Sequence, residues 1–307
     1  MRTTLENVHN LMRDCALCPR QCHVNRLAGQ VGFCGQTADI RAARAALHFW
    51  EEPCISGSCG SGTVFFSGCG LQCVFCQNRS IALGETGRVV SPERLSEIFL
   101  ELQEKGAANI NLVTAGHFLP QTVYSLELAK EQGLTIPVVY NTGSYEEVNS
   151  LCMLEGLVDI YLPDLKYYSP ELSEKYSQAP DYFEKASAAI REMFCQVGRP
   201  VFDHDTGLMR RGVIARHLLL PGQSKDSKRI LRYLHETYKN DIYVSIMNQF
   251  TPLAEATLPE ELKRCITVPE YEKILSFAEK IGIEQGFYQE GETAKESFIP
   301  PFDLEGI

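Results

Sequence analysis

The residues best equipped for chemistry are three cysteines in one short stretch, Ser67-Gly-Cys69-Gly-Leu-Gln-Cys73-Val-Phe-Cys76-Gln-Asn78, a C-x3-C-x2-C pattern entered through glycines. Three closely spaced thiolates can ligate three irons of a [4Fe-4S] cube and leave the fourth iron open, whereas electron-transfer clusters use four cysteines. An open iron can chelate the amino and carboxylate groups of a small molecule. The simpler alternative is a structural zinc site that adds a distant fourth ligand. A second group, Cys15, Cys18, Cys22 and Cys34, supplies four thiolates in a C-x2-C-x3-C-x11-C arrangement. That number suits either a tetrahedral Zn2+ or a second Fe-S cluster, and spacing does not separate the two.

The other cysteines carry less. Cys54 and Cys59 flank Ile-Ser-Gly-Ser ahead of the first predicted strand; hydrogen-atom donation and extra ligation compete there with plain apolar packing. Cys152, Cys195 and Cys265 stand alone and read as packing. With twelve cysteines and no apolar leader at the N-terminus, the pattern reads as metal ligation in a cytoplasmic protein rather than as disulfides. No stretch approaches the length of a membrane-spanning helix. A formal net charge of −10, with no run of Lys and Arg, argues against nucleic acid as a partner.

Positioning those side chains calls for a framework. Short β-branched runs alternate with helical patterns, the rhythm of βαβ units and a parallel sheet. Strands are predicted at Thr63–Ser67, Asn109–Thr114, Pro137–Tyr140, Val158–Leu162, Val213–Leu220 and Ile242–Met247. Helices are predicted over 92–105, 122–132, 144–155, 180–196, 227–239 and 269–281. Six strands fall short of a closed eight-stranded barrel, so the fold class is α/β, a partial (β/α)6 TIM-type barrel with functional residues at the C-terminal strand ends. Residues 1–50 are expected to form a small Cys-rich metal-binding subdomain, 51–284 the barrel and 285–307 a C-terminal surface tail.

The three-cysteine loop, with an aromatic Phe75 before Cys76, a strand before it and a helical pattern after it, resembles the radical S-adenosylmethionine (SAM) superfamily. Leu17-Cys-Pro-Arg-Gln-Cys22, His48-Phe-Trp-Glu-Glu-Pro53 and Gly60-Ser-Gly-Thr-Val-Phe-Phe-Ser-Gly-Cys69 are similar to proteins described as pyruvate formate-lyase activating enzyme-like, relatives of the glycyl radical enzyme activases. The resemblance implies a [4Fe-4S] cluster on Cys69, Cys73 and Cys76 and SAM on its open iron. It implies an oxidoreductase that cleaves SAM to a 5′-deoxyadenosyl radical and abstracts a hydrogen atom. The partners implied are a one-electron donor such as flavodoxin or ferredoxin, and a glycyl radical enzyme or peptide as target; radical modification of a small molecule, or a non-catalytic zinc-stapled binding protein, are the other readings.

The resemblance also implies site residues. Asp164-Leu-Lys166, after the fourth barrel strand, matches an Asp-x-Lys pair that positions SAM, with a solvated surface pair as the alternative. Arg216-His217 matches a strand whose Arg contacts SAM; consecutive strand residues face opposite ways, and Arg216 is expected to face the barrel. Where activases carry Gly-Gly-Glu, this chain has Thr114-Ala-Gly116-His117. Gly116 permits close approach and Thr114 offers a contact for the amino group, but the carboxylate is missing. His117 reads as either proton-handling or structural. Asn248 and Gln249 replace an activase His near a Pro-Tyr pair, and could read a different substrate. Asn141, ending the third barrel strand, is a lining candidate or a turn cap.

Overall fold

The computed structural model describes residues 3–253, 257–289 and 300–307. Its centre is an open, mostly parallel sheet of an α/β fold. The strands are β1 (Ile40–His48), β2 (Ser61–Phe66), β3 (Arg88–Val90), β4 (Ile110–Val113), β5 (Val138–Thr142), β6 (Ile160–Pro163), β7 (Val201–Phe202), β8 (Met209–Leu218), β9 (Tyr243–Met247) and β10 (Gly286–Tyr288). Their order is β10-β9-β8-β6-β5-β4-β2-β1-β3, with β7 pairing β8. From β2 to β10 along this path all neighbours are parallel.

Helices cross between successive parallel strands, as βαβ handedness and burial require. Helix Pro92–Glu104 leads from the β2 region to β4, begins with the Ser91 hydroxyl accepting from the Arg94 N–H at 3.1 Å, and buries Leu95, Ile98, Phe99 and Leu102 at helical spacing. Helix Val268–Ile281 leads to β10 and opens with a Thr267–Glu270 capping box. β2 and β5 are buried along their whole length, as strands covered on both faces must be.

Three expectations need revision. Ile40–His48, read above as part of the Cys-rich stretch, is a nine-residue strand paired antiparallel with β2. Its repeated alanines hid the strand, because Ala has little β-propensity and the pattern is set by packing. The tail supplies a seventh parallel strand, β10, then returns: Leu304 N–H bonds Ala43 O at 3.0 Å and Ala45 N–H bonds Glu305 O at 2.8 Å. Residues 290–299 of the expected tail lie outside the described residues. The predicted helix 144–155 shrinks to Val148–Leu151 followed by a single 3-10 turn.

Candidate active site

The three-cysteine loop starts where β2 ends. Gly68, at φ 91°, presses against the N-terminal unit so closely that a Cβ would lie 2.8 Å from the Cys34 carbonyl oxygen, which only glycine allows. Phe75 anchors the far side, buried edge-on against Tyr167, Tyr176 and Phe250 with ring centroids 6.0–6.3 Å away. Two donors address the sulfurs: Leu71 N–H to Cys69 Sγ at 3.3 Å, and the Ser177 hydroxyl to Cys73 Sγ at 3.0 Å. Burial and the neighbouring Cys73 push the Cys69 and Cys76 thiols up, Cys76 to about 12, so thiolates form here only against a strongly positive partner.

All three cysteines line a cavity of about 510 Å³, which also takes in Asp164, Lys166 and Arg216. Lys166 Nζ lies 2.5 Å from Asp164 Oδ2, and Arg216 Nε lies 2.9 Å from Asp164 Oδ1. Burial alone would raise the Asp164 carboxyl, but the charges of Arg216 and Lys166 together hold it below its ordinary range. Asp164 and Lys166 are therefore a half-buried pair inside the cavity, not the solvated surface pair. Arg216 also donates to Glu51 Oε2 at 3.1 Å and Asn141 Oδ1 at 2.5 Å. Each of its three nitrogens is thus engaged by a protein acceptor. In this structure Arg216, which the resemblance matches to a SAM contact, orients three other side chains. The Lys166 ammonium, bonded to Asp164 alone among the described residues, keeps donors for a ligand.

Sequence reasoning left Glu51 and Glu52 without a role, and both line the cavity. Glu51 accepts from Asn111 at 3.0 Å and Asn141 at 3.3 Å as well as from Arg216. The Thr114–His117 segment carries no carboxylate, whereas the β1–β2 connection places two on the cavity wall. His48-Phe-Trp-Glu-Glu-Pro53 was conspicuous in the sequence, but nothing local says that this turn crosses to the barrel interior. Phe287 and Tyr288 of β10 also line the cavity.

The remaining candidates divide. Thr114 and Asn141 line the cavity, joined by the Thr114 hydroxyl to the Asn141 carbonyl at 3.0 Å. Gly116 does not line it; it begins a 3-10 turn packed against the buried Glu146 carboxylate. His117 is buried, its Nε2 2.7 Å from Ser67 O, and burial with Arg26 nearby lowers its pKa to about 3, so it is a neutral structural residue. His217 points away from Arg216, to Leu165 O at 2.8 Å. Gln249 lines the cavity and its carbonyl accepts from Gln77 at 2.9 Å, while its side-chain carbonyl accepts from Gln289 at 2.8 Å. The Asn248 backbone N–H donates to Gln289 at 2.8 Å, and its side chain is not part of the cavity lining. Cys54 packs under the site, but Cys59, Cys152, Cys195 and Cys265 are exposed rather than packed in the core.

Among the described residues, no three Cys, His, Asp or Glu side chains converge as they would on one metal ion. Thiolates on a cube bind different irons and need no such convergence, whereas a single zinc does. Three thiols with N–H and O–H donors on one cavity wall fit a cluster. The facing Lys166 and the carboxylates fit a molecule bearing both a carboxylate and an amino group.

The family model for the radical SAM superfamily matches residues 63–234. An uncharacterized protein of Methanocaldococcus jannaschii is 27% identical over 289 residues, covering 91% of this chain and 78% of its own. Among solved structures, Streptococcus suis SuiB bound to S-adenosylmethionine is 12% identical with a TM-score of 0.51, over 73% of this chain; the chain spans 48% of SuiB, and the likeness concerns the fold alone. A domain of a pyruvate-formate lyase-activating enzyme from Bacteroides vulgatus matches 56% of this chain and 91% of its own at 10% identity, with a TM-score of 0.39, too low to establish a common fold.

Proposed function

The chain belongs to the radical SAM superfamily, and we propose that it is an activating-enzyme-like oxidoreductase that abstracts a hydrogen atom from the Cα of a glycine on a partner protein. The observation that carries this reading is the single cavity shared by the three thiols and the Asp164–Lys166–Arg216 network. Cys69, Cys73 and Cys76 would hold a [4Fe-4S] cluster, and SAM would sit beside it. When bound, this pair supplies one-electron cleavage of the sulfonium and a 5′-deoxyadenosyl radical.

The chain's own groups bind and orient. Lys166 offers its ammonium to the SAM carboxylate, and Asp164 fixes that ammonium in place. Arg216 holds Asp164, Glu51 and Asn141 at set spacings, and Glu51 and Glu52 lie on the cavity wall. Trp50 and Tyr288, 65% and 59% exposed, line the same cavity, so it reaches solvent between large apolar side chains suited to receiving a segment of another chain. Among the described residues no helix is long and apolar enough to cross a membrane. The proposed setting is the cytoplasm, with flavodoxin or ferredoxin as electron donor.

The altered end of β9, where Gln249 is bonded to Gln77 and Gln289, favours one other reading: a modified peptide rather than a glycyl radical enzyme. Anaerobic reconstitution with iron and sulfide, reduction and addition of SAM are expected to yield 5′-deoxyadenosine; none formed would sink the enzyme reading. Deuterium transferred into it from an α-deuterated glycine-loop peptide identifies the activase target. Transfer from other residues only would point to peptide modification.

A further inference from the structure

The N-terminal cysteines are brought together by a chain with little regular structure. Among the described residues, only helix Leu5–Arg13 and a 3-10 turn, Arg26–Ala28, precede β1. Cys15 and Cys34 are buried, Cys18 and Cys22 half-buried, and backbone bonds draw them together: His23 N–H to Cys15 O at 3.0 Å, Cys15 N–H to Val24 O at 3.2 Å and Gln21 N–H to Cys18 O at 2.9 Å. Phe33 N–H points at Cys22 Sγ at 3.3 Å, and Arg26, 1% exposed, lies 3.8 Å from Cys15 Sγ. These are donors aimed at sulfurs in a unit whose own apolar cluster is only Met12, Cys15 and Leu17 with Val24 and Ala38 at its edge. So small a core does not hold four buried or half-buried thiols in place by itself.

Three contacts fasten this unit to the three-cysteine loop. Arg20 Nε donates to Gly70 O at 2.8 Å, one residue after Cys69. Gln72 Nε2 donates to Phe33 O at 2.7 Å, one residue before Cys34. Cys18 Sγ faces Gly70, where a Cβ would lie only 3.7 Å from the sulfur. The guanidinium of Arg20 is itself held over the Phe33 ring at 3.8 Å, and it donates to the carbonyls of Ser177 and Gln178. Ser177 is the residue whose hydroxyl addresses Cys73. The two sets of thiols are therefore neighbours through backbone and hydrogen bonds. Such closeness suits an electron carrier, because electron transfer falls off steeply with distance.

We propose that Cys15, Cys18, Cys22 and Cys34 hold a second iron–sulfur cluster, and that the Arg20 and Gln72 links place it to pass electrons to the centre in the Cys69–Cys76 loop. The electron balance is simple. The N-terminal cluster takes one electron from a protein donor of the flavodoxin or ferredoxin class, passes that electron to the loop cluster, and returns to its oxidised state without proton or bond exchange. The relay rests on the reading of the loop given above; the identity of the N-terminal centre does not.

The first test is Cys69→Ala/Cys73→Ala/Cys76→Ala protein purified without oxygen. Iron with equimolar acid-labile sulfide is expected to remain after the loop ligands are gone; zinc, or no metal, overturns the proposal. In the intact chain, Cys15→Ser/Cys34→Ser is expected to lower iron and sulfide by about half, and an unchanged iron content overturns it equally. For the relay, Arg20→Gln is expected to slow reduction of the loop cluster by reduced flavodoxin at least tenfold, read by electron paramagnetic resonance, with reduction by dithionite unchanged. Equal rates from flavodoxin overturn the relay. If the triple variant keeps its cluster while wild-type protein forms no 5′-deoxyadenosine, the failure belongs to the reading of the loop and not to the second cluster.

Discussion

The two cysteine groups lie side by side, yet the fold holds them in opposite ways. The loop of Cys69, Cys73 and Cys76 hangs from β2, a strand buried at every residue, and is wedged by Phe75 among three aromatic rings. The N-terminal group has no strand beneath it. It is held by a few charged side chains that reach backbone carbonyls, chiefly Arg26, which donates to the carbonyls of Gln36, Thr37 and His117. One site is positioned by packing. The other depends on buried hydrogen bonds.

The sharpest way to break this contrast is to remove one ligand from each. Cys69→Ser is expected to abolish 5′-deoxyadenosine formation while leaving the thermal midpoint nearly unchanged. Cys15→Ser is expected to spare dithionite-driven turnover but expose residues 14–39 to proteolysis. Equal loss of stability in both variants would erase the distinction. Next in size, Arg26→Ala leaves three buried carbonyls without their donor and is expected to cost roughly 3–5 kcal/mol. Hydrogen exchange should then rise across residues 14–39 and stay slow in β2; a uniform rise would count against separate anchoring.

Glu146 sharpens the comparison from the barrel side. Burial pushes its carboxyl up to about 7, against 4.5 ordinarily, although Thr142 and Tyr140 donate to it. Folding therefore takes up a proton. This group's contribution to stability is fully present below about pH 4.5 and is lost as pH rises through about 7. Glu146→Gln is expected to flatten the stability profile across that window and to gain on the order of 3 kcal/mol above it, measured by urea unfolding at a series of pH values. An unchanged slope would mean that another group titrates there. The smallest effect is expected from Lys166→Met, which should weaken SAM binding about tenfold, or ~1.4 kcal/mol, in calorimetry without changing iron content.

What the sequence made legible follows the same division. The loop, its preceding strand and the Asp164–Lys166–Arg216 constellation were readable because βαβ order places strand ends together and residue alternation decides that Arg216, not His217, faces inward. Glu51, Glu52 and Tyr288 were not readable as site residues. They arrive through an antiparallel crossing and a late seventh strand, whose partners are distant in sequence and carry no local periodicity. Gly116 was placed at the site by analogy, but the chain spends that position on packing against Glu146.

The Ser177 hydroxyl has a further consequence. It donates to Cys73 Sγ at 3.0 Å and is paired with the Tyr167 hydroxyl at 2.7 Å, both groups being carried by the β6–β8 crossover rather than by the loop. A donor to a ligating sulfur withdraws charge from the metal centre and raises its reduction potential. On the proposed reading, the voltage at which this enzyme fires is set by a segment a hundred residues from its cysteines, and Ser177→Ala would retune it without touching a ligand.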